Sequence, residues 1–380
     1  MTTQIAPPAA LPLLASLPHQ VGFTPRDSLV LVPVSGTHTR GVLRIDLPQA
    51  AQIAQTAATA IGYACRVPDV ESVVIVIYTD GPVLDGAGVA HEDLVALVGD
   101  RAEACGLRVV GELCVAADGW ASYDEAAPRP LSEIAEADPD RELRVEPSQW
   151  AGVDIAVSED EIALVRPRLA ALSRLPGDAF HRLADGATGT TGLVDVDAHL
   201  AAFDADPYAL AERLVADDTA PDAAEVALWA WILRSPALRD VVLTQWVGDA
   251  DEARMTWEWQ ASWLRGETRT PDFAVRIAGE GPRPDSARLE RAREAVRSLV
   301  ARTPESHRAS LLAVCGWLSW ALGGATHAAR YAQLALDLDP HLSFASLVAR
   351  MTDGGMIPGW AYDPEGSPLA PSWWVAQPAT

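Results

Sequence analysis

The sequence predicts an N-terminal α/β domain, with a mixed sheet flanked by helices, followed by an all-α C-terminal domain. Three observations lead to this prediction. Residues 25–123 alternate between the spacing of strands and that of helices, which is typical of α/β layer folds. Residues 73–77 are continuously apolar and β-branched, which favours a central strand buried on both faces by helices. From residue 158 onward the apolar side chains recur at helical spacing.

The first half of the α/β domain predicts two strands and a helix before the central strand. Residues 29–34 form an apolar run, with Pro33 near its end, where a missing N–H does least harm. Residues 41–47 alternate apolar and polar side chains, which is the period of a half-covered strand. Residues 53–64 repeat apolar side chains at helical spacing.

The second half of this domain predicts a helix and a hairpin. Residues 94–105 place apolar side chains on one helical face, and Gly106 follows where a left-handed cap residue belongs. Residues 109–116 and 120–123 predict two strands on either side of Asp118-Gly119. We expect these two residues to form a tight turn with positive φ angles. The domain thus reads β-β-α-β-α-β-β.

The composition divides the chain into four parts. Residues 10–123 are the α/β domain, and residues 124–157 predict an acidic, Pro-containing linker because they lack periodicity. Residues 158–360 are the helical domain, and residues 361–380 a Pro-rich tail. Further helices are predicted at residues 206–216, 223–233, 238–247, 253–264, 285–302, 304–322, 326–338 and 342–351.

The helical domain begins and ends with recognisable signals. Ser158 with Glu161 predicts a capping box, and Pro167 is expected to bend or shorten the helix that follows. In residues 308–351, small residues recur at the spacing of a tetratricopeptide-like hairpin, with Gly316 at the small position of its first helix. A solenoid needs about three such units and one is visible. We therefore expect an isolated hairpin that closes the domain and offers a face to a protein partner.

The charge balance limits the partners. Asp and Glu number 52 against 29 basic residues, which gives a net charge of −23. This charge repels phosphate backbones and anionic lipids, so we expect neither nucleic acid nor membrane as a partner. The first 20 residues lack a basic region and contain four prolines, and no apolar run approaches the length of a membrane span.

Cysteines and tryptophans carry weaker signals. The four cysteines form no C-x-x-C pair, and we interpret them as reduced core residues of a cytoplasmic protein, with a Cys105–Cys114 disulfide as the alternative. Six of the 13 tryptophans fall between Trp229 and Trp263. We expect these rings to fill helix interfaces, with an aromatic ligand cage as the alternative.

Candidate ligand-binding residues cluster at predicted strand ends. Tyr78, Thr79 and Asp80 leave the end of the central strand, and open α/β sheets bind ligands outside the carboxyl ends of their strands. Arg44 and Asp46 project from one face of a neighbouring strand, where they pair with each other or meet a ligand.

Asp27 and Ser28 precede the first strand and allow two interpretations. Their side chains can cap a turn. Alternatively, with His19 they supply the residue types of a nucleophile, its base and an orienting acid, although no G-x-S-x-G elbow is present. The candidate ligand-binding set is Asp27, Ser28, Arg44, Asp46, Tyr78, Thr79 and Asp80.

Metals and cofactors find no support in the sequence. The eight histidines are scattered without H-E-x-x-H or H-x-H spacing, and the acidic clusters lack the pattern of a calcium loop. Residues 86–88 form a lone G-x-G, which we interpret as a turn rather than a dinucleotide fingerprint. We expect no metal and no cofactor.

Several stretches together resemble one family. They are residues 22–30 (GFTPRDSLV), 44–48 (RIDLP), 118–123 (DGWASY), 312–318 (LAVCGWL) and 339–340 (DP). The chain, from about Leu11 to Trp360, is similar to the actinobacterial family called domain of unknown function 4192. The resemblance implies no reaction, cofactor or partner. Members of that family carry a Cys- and Pro-rich segment after the Trp-x-Ser-Tyr stretch, whereas residues 124–132 here contain no Cys.

Two hypotheses for function follow. The first is a cytosolic, non-catalytic regulatory or protein-interaction protein whose helical domain contacts another protein. The alternative is a small-ligand-binding protein or an enzyme with a pocket at the strand ends of the α/β domain. The sequence does not decide whether the protein is an enzyme, and it specifies no oligomeric state.

Overall fold

The computed structural model describes residues 7–36, 38–86, 88–143, 145–177, 179–184, 189–216, 220–267 and 274–362. These residues form two compact units. The first contains the described residues up to Ala151 together with Tyr362, and the second is Gly152–Ala361. The division between them falls inside the segment predicted as a linker.

The first unit contains a mixed sheet with helices. In chain order its elements are α1 (Pro7–Val21), β1 (Ser28–Ser35), β2 (His38–Thr39), β3 (Leu43–Asp46), a 3₁₀ turn (Ala50–Gln52), α2 (Ile53–Ala64), β4 (Ser72–Tyr78), β5 (Leu84–Asp85), β6 (Gly88–Val89), α3 (Glu92–Ala104), β7 (Arg108–Ala116), β8 (Gly119–Ser122) and α4 (Ser132–Glu136). The sheet order is β2-β1-β4-β7-β8, and β3 also pairs with β1. The predicted α/β fold class is confirmed.

The β4 strand lies at the centre of this sheet. It runs antiparallel to β1 and parallel to β7, and each of its residues is buried. Because side chains alternate along a strand, Ile75 and its neighbours two residues away pack among side chains of α2 and α3. Val76 and its alternate neighbours pack against α1. The unbroken β-branched run is therefore explained by a helix layer on each face.

The α1 helix is missing from the sequence prediction. It contains Pro12 and Pro18, which count against a helix when the sequence is read locally. Leu13, Leu14 and Leu17 are buried on the sheet. Tertiary packing of this apolar face outweighs the unfavourable local propensity.

The β7–β8 hairpin is confirmed, but its turn lies one residue earlier than predicted. Ala116 pairs with Gly119, so Ala117 and Asp118 form the turn. Gly119 is extended, and a Cβ there would lie 2.7 Å from the carbonyl oxygen of Arg129. Close approach of another backbone segment, rather than a positive φ, accounts for this glycine. Gly106, in contrast, has the predicted left-handed conformation, with φ of 83°.

Part of the predicted linker contacts the first unit. Arg129 exchanges two backbone hydrogen bonds with Trp120, of 2.9 and 2.8 Å. Glu146 pairs with Phe23, and Gln149 is fully buried. Residues 129–149 therefore belong to the first unit and supply hydrogen-bond partners to its earlier segments.

The cysteines divide into two classes. Cys114 and Cys315 are buried, whereas Cys65 and Cys105 are exposed, so the interpretation as core residues is wrong for the latter two. All four are free thiols. Burial and, next, the neighbouring Cys105 raise the pKa of the Cys65 thiol; the two cysteines lie at the C-terminal ends of α2 and α3.

The second unit is helical in its described part, as predicted. Its helices are α5 (Glu159–Leu172), α6 (Ala179–Ala184), α7 (Val194–Ala205), α8 (Pro207–Ala216), α9 (Ala223–Ile232), α10 (Pro236–Val247), α11 (Ala250–Leu264), α12 (Ala274–Ile277), α13 (Ser286–Arg302), α14 (Arg308–Ala321), α15 (Ala325–Leu338) and α16 (Ser343–Asp353), with 3₁₀ turns at Glu305–His307 and Gly359–Tyr362. The α6, α7 and α12 helices were not predicted.

One local prediction for α5, the capping box, is corrected. The Ser158 side chain makes no capping hydrogen bond, and Glu161 instead forms an ion pair with Arg302 at 3.1 Å. Pro167 lies inside α5 without ending it. The Glu161 carboxylate thus pairs with an arginine on α13 rather than with the backbone N–H of Ser158, as a capping box would require.

The predicted helical hairpin is formed by α14 and α15. A Cβ added at Gly316 would lie 3.2 Å from the carbonyl oxygen of Ala328 and 3.4 Å from the Cβ of Tyr331. Ala332 and Ala335 are fully buried on the same helix. The small residues therefore allow the two helices to approach closely, as their spacing indicates.

Candidate functional site

The predicted site lies at the carboxyl end of β4 and the adjoining ends of β1 and β3. Ser28 is paired with Asp46 on β3 and with Tyr78 on β4. Paired residues project from the same face of a sheet, so these three side chains form one row on the face that packs against α1. The sheet register brings together residues from three separate stretches of sequence.

Arg44 is the central charge of this row. Its Nε donates a hydrogen bond of 2.8 Å to Ser28 Oγ, and its Nη2 donates to the Asp46 carboxylate. The Arg44 side chain is 7% exposed and that of Asp46 is 73% exposed. Burial lowers the pKa of Arg44, while the Asp46 charge opposes that shift. The pair thus holds a buried cation beside an exposed carboxylate.

A second group of contacts lies around Asp80. The Asp80 backbone N–H donates to the Asp27 carboxylate at 2.9 Å, and Asp27 has a φ of 41°. The Arg26 guanidinium donates to both oxygens of Asp80, with an Nε–Oδ1 distance of 2.9 Å. This hydrogen bonding with Asp80 raises the pKa of Arg26. The backbone carbonyl of Arg26 also accepts a 2.7 Å hydrogen bond from Ser28, which joins the two groups.

Arg26 and Gln149 belong to this network but were not identified from the sequence. The Arg26 backbone N–H donates to Gln149 Oε1 at 3.0 Å, and Gln149 Nε2 donates to the Arg26 carbonyl at 2.8 Å. The two residues are 123 positions apart. For Arg26, its place inside the GFTPRDSLV stretch was a usable signal. For Gln149 there was none.

Tyr78 and Thr79 lie outside the network. Thr79 Oγ1 accepts from the Gly81 N–H at 3.2 Å, which is an ordinary turn contact. The Tyr78 hydroxyl is buried without a hydrogen-bond partner in the part of the chain that the structure describes. Burial raises the pKa of this hydroxyl. The structure therefore connects five of the seven predicted residues and leaves a donor unused beside them.

The arrangement does not assemble the nucleophile considered from the sequence. His19 Nε2 contacts Asp138 Oδ2 at 3.0 Å rather than Ser28 or Asp27. Ser28 Oγ donates to a backbone carbonyl and accepts from Arg44, so its proton is not directed at a base. The turn interpretation of Asp27 and Ser28 agrees with these contacts. Among the described residues, no group of three or more His, Cys, Asp or Glu is placed to hold a metal ion.

Family membership follows from comparison over most of the chain. The model of the family described as domain of unknown function (DUF4192) matches residues 11–359. The chain belongs to this family. For this DUF4192 protein, searches of the curated proteins and of the solved structures gave no match. In the ranges that the structure describes, none of its helices is long and apolar enough to cross a bilayer.

The second unit of this DUF4192 protein has a surface that sequence reasoning missed. On α11, Met255 and Trp263 are each 62% exposed, and Leu264 is 40% exposed. Trp259 is half-buried between them, and residues 255, 259 and 263 are spaced by four, so they lie on one helical face. We call these four residues the α11 stripe. The prediction that the tryptophans fill helix interfaces is confirmed for Trp229 and Trp246, and is wrong for Trp263.

Proposed function

We propose that the protein is a non-catalytic protein-interaction protein and that the α11 stripe binds another protein. The exposure of Met255 and Trp263, 62% each and two turns apart on one helical face, carries this proposal. Contiguous exposed apolar patches mark interaction sites on soluble proteins. Tryptophan and methionine are enriched in protein interfaces, and tryptophan supplies a large share of their binding energy.

The charges around the α11 stripe favour a partner with a basic rim. Arg254 is paired with Asp251 at 2.6 Å, and Arg265 with Glu267 at 3.0 Å, so the nearby arginines are neutralised locally. The whole chain carries a charge of −23. Complementary charge speeds encounter and selects among partners. The expected partner therefore presents an apolar centre surrounded by Lys or Arg.

A cytoplasmic setting is part of the same proposal. The four free thiols support a reducing compartment. The net charge argues against nucleic acid and anionic membranes as partners. We also propose a regulatory role, because the protein is proposed to bind a partner protein and not to catalyse a reaction.

The test compares affinity purification of the tagged full chain with that of matched variants. Trp263→Ser removes the largest exposed ring of the α11 stripe. Leu164→Ser is the control, because Leu164 is 56% exposed on α5 of the same unit. We expect a protein that co-purifies with the wild type and with Leu164→Ser to be lost from Trp263→Ser. The partner, identified by mass spectrometry, is then purified, and its affinity for Trp263→Ser is expected to fall at least about tenfold.

Three results would contradict the proposal. One is recovery of the bare monomer from the wild type at physiological salt. Another is an unchanged affinity of the purified partner for Trp263→Ser. The third is a homodimer, seen by light scattering, that the same substitution dissociates, because a second copy of the chain would then occupy the stripe.

Small-ligand binding at the strand ends is a second candidate, favoured by the unused Tyr78 hydroxyl beside Ser28, Arg44 and Asp46. A ligand at 100 times its dissociation constant adds about 2.7 kcal/mol of stability, which a thermal-shift screen of metabolites detects. Tyr78→Phe keeps the ring and removes the hydroxyl, and Asp46→Arg reverses an exposed charge. We expect both variants to lose the shift while their own melting temperatures stay close to that of the wild type. A shift that survives both substitutions would remove these residues from the site.

A further inference from the structure

The second unit contains a surface depression of about 530 Å³ that is open to solvent, lined mostly by exposed residues and separate from the α11 stripe; we call it the cavity. Its walls come from α5, the connection between α9 and α10, the 3₁₀ turn before α14, the first turn of α14 and the end of α15. Small-molecule sites in proteins have volumes of about 300–1,000 Å³. The cavity therefore has the size for a small metabolite, and its chemistry indicates which kind.

Two arginines in the cavity wall carry positive charge. Arg166 and Arg234 both line the cavity and are exposed. Neither has an ion-pair or hydrogen-bond partner among the described residues. Other arginines of the same unit, such as Arg276 and Arg288, are paired with glutamates. In a chain with a charge of −23, two unpaired guanidinium groups at one cavity favour an anionic ligand.

The start of α14 lies in the same wall. Ala309 and Ser310, in the first turn of this 14-residue helix, line the cavity. The N-cap residue His307 makes no side-chain capping hydrogen bond, and the Arg308 N–H donates to the Glu305 carbonyl of the preceding 3₁₀ turn. The positive end of the helix dipole lies there as well. Burial and the Arg234 charge lower the pKa of His307, which is consistent with an electropositive wall.

Two carboxylates in the cavity wall indicate which groups, besides an anionic one, the ligand carries. Glu305 and Asp339 line the cavity together with the arginines. One Asp339 oxygen accepts the His341 N–H at 3.0 Å. Carboxylate oxygens are hydrogen-bond acceptors, which suit hydroxyl groups rather than anions. A ligand that is anionic throughout would be repelled by these groups. A ligand with an anionic end and a hydroxyl-bearing end satisfies both sets.

We propose that this cavity binds a phosphorylated sugar. Its phosphate lies between Arg166, Arg234 and the first turn of α14, and its hydroxyls face Glu305 and Asp339. Guanidinium groups and helix N-termini are the groups that proteins use most readily for phosphate. No residue of the α11 stripe lines the cavity, so this inference and the proposed docking function stand or fall separately.

Calorimetric titration of the full chain at pH 7.5 and 150 mM NaCl tests the proposal with three probes: ribose 5-phosphate, inorganic phosphate and ribose. We expect ribose 5-phosphate to bind more tightly than inorganic phosphate, and ribose to give no signal. Arg166→Gln and Arg234→Gln each remove one charge-assisted donor, which weakens binding of both phosphate probes about tenfold or more. Glu305→Ala weakens binding of ribose 5-phosphate alone.

Arg330→Gln is the matched control. Arg330 is an exposed arginine of α15 that does not line the cavity and has no ion-pair partner among the residues described. We expect its substitution to leave all affinities within about twofold of the wild type. Melting curves establish that each variant is folded, and the substituted arginines are exposed, so their loss does not disturb the core.

Four results overturn the proposal. They are the absence of binding by ribose 5-phosphate at millimolar concentration, unchanged affinity in the Arg166 and Arg234 variants, an equal loss of affinity in Arg330→Gln, and equal affinities for ribose 5-phosphate and inorganic phosphate. The third would indicate a general charge effect, and the last would leave an anion site without sugar recognition.

Discussion

Replacing Gly119 by alanine separates two explanations for this glycine. An alanine Cβ would lie 2.7 Å from the Arg129 carbonyl oxygen, so the two segments must move apart. This weakens the two backbone hydrogen bonds between Trp120 and Arg129, of 2.9 and 2.8 Å, each worth about 1 kcal/mol. Lower entropy of the unfolded chain offsets about 0.5–1 kcal/mol. The expected net loss of stability is about 1–1.5 kcal/mol.

Asparagine at the same position makes the comparison decisive. If a positive φ were the reason for Gly119, asparagine would be tolerated better than alanine, because it adopts the left-handed conformation more readily. Since the reason in the structure is close approach, the larger asparagine is expected to destabilise at least as much as alanine. Gly62→Ala is the control, because Gly62 lies in α2 with open space around its Cβ position.

Native-state hydrogen exchange at the Trp120 and Arg129 amides measures this effect locally. A loss of about 1–1.5 kcal/mol accelerates exchange by roughly 5- to 13-fold. Gly62→Ala is expected to leave these two amides unchanged. Exchange that is unaltered in Gly119→Ala, or slower in Gly119→Asn than in Gly119→Ala, would refute the reasoning.

Three further predictions concern buried thiols, an ion pair and the central strand. Burial raises the pKa values of Cys114 and Cys315 to about 12, so a thiol reagent at pH 7.5 is expected to modify two cysteines in the native protein and four after denaturation; modification of more than two native thiols would contradict this. Hydrogen bonding to Arg288 lowers the pKa of Glu212 in the folded protein. The pair therefore stabilises the fold above the unfolded pKa of about 4.3, and this stabilisation is lost as the pH falls through the lower, folded pKa. Glu212→Gln is therefore expected to destabilise the protein by about 1 kcal/mol at pH 6 and by less at pH 3, as measured by urea denaturation. The value at pH 6 is small because the Glu212 side chain is 47% exposed. Ile75→Ala, at a position with 0% exposure, is expected to lower the free energy of unfolding by about 2–5 kcal/mol in the same assay, and a loss below about 1 kcal/mol would argue against a central, doubly covered strand.

The candidate site was predictable in its position but not in its contacts. Tyr78, Thr79 and Asp80 were placed correctly at the end of β4, because a continuous β-branched run is readable over a few residues. The link between Asp80 and Arg26, 54 positions away, depends on how β1 and β4 pair. Local patterns contain no information about which distant side chain will neutralise a charge, so Arg26 was overlooked.

The two features on which the proposals depend illustrate the same division. The spacing of Met255 and Trp263 was visible in the sequence, but their solvent exposure was not. Trp246, on the preceding helix of the same tryptophan-rich region, is fully buried, so membership of that region does not indicate whether a tryptophan is exposed. Arg166 and Arg234 were not singled out in the sequence. Only the packing of three helices, the α9–α10 connection and a 3₁₀ turn places both of them at one cavity.

The sequence by itself determined five of the six strands of the mixed sheet, the helical character of the second half and the family, since hydrophobic periodicity and short motifs are properties of neighbouring residues. The tertiary structure alone decided the α1 helix, whose two prolines are tolerated because its leucines are buried on the sheet. It alone decided that Gly119 faces the Arg129 carbonyl, and that Gln149 holds the backbone of Arg26. The physical reason is the same in each case: the deciding energy comes from atoms that become neighbours only when distant segments of the chain pack together.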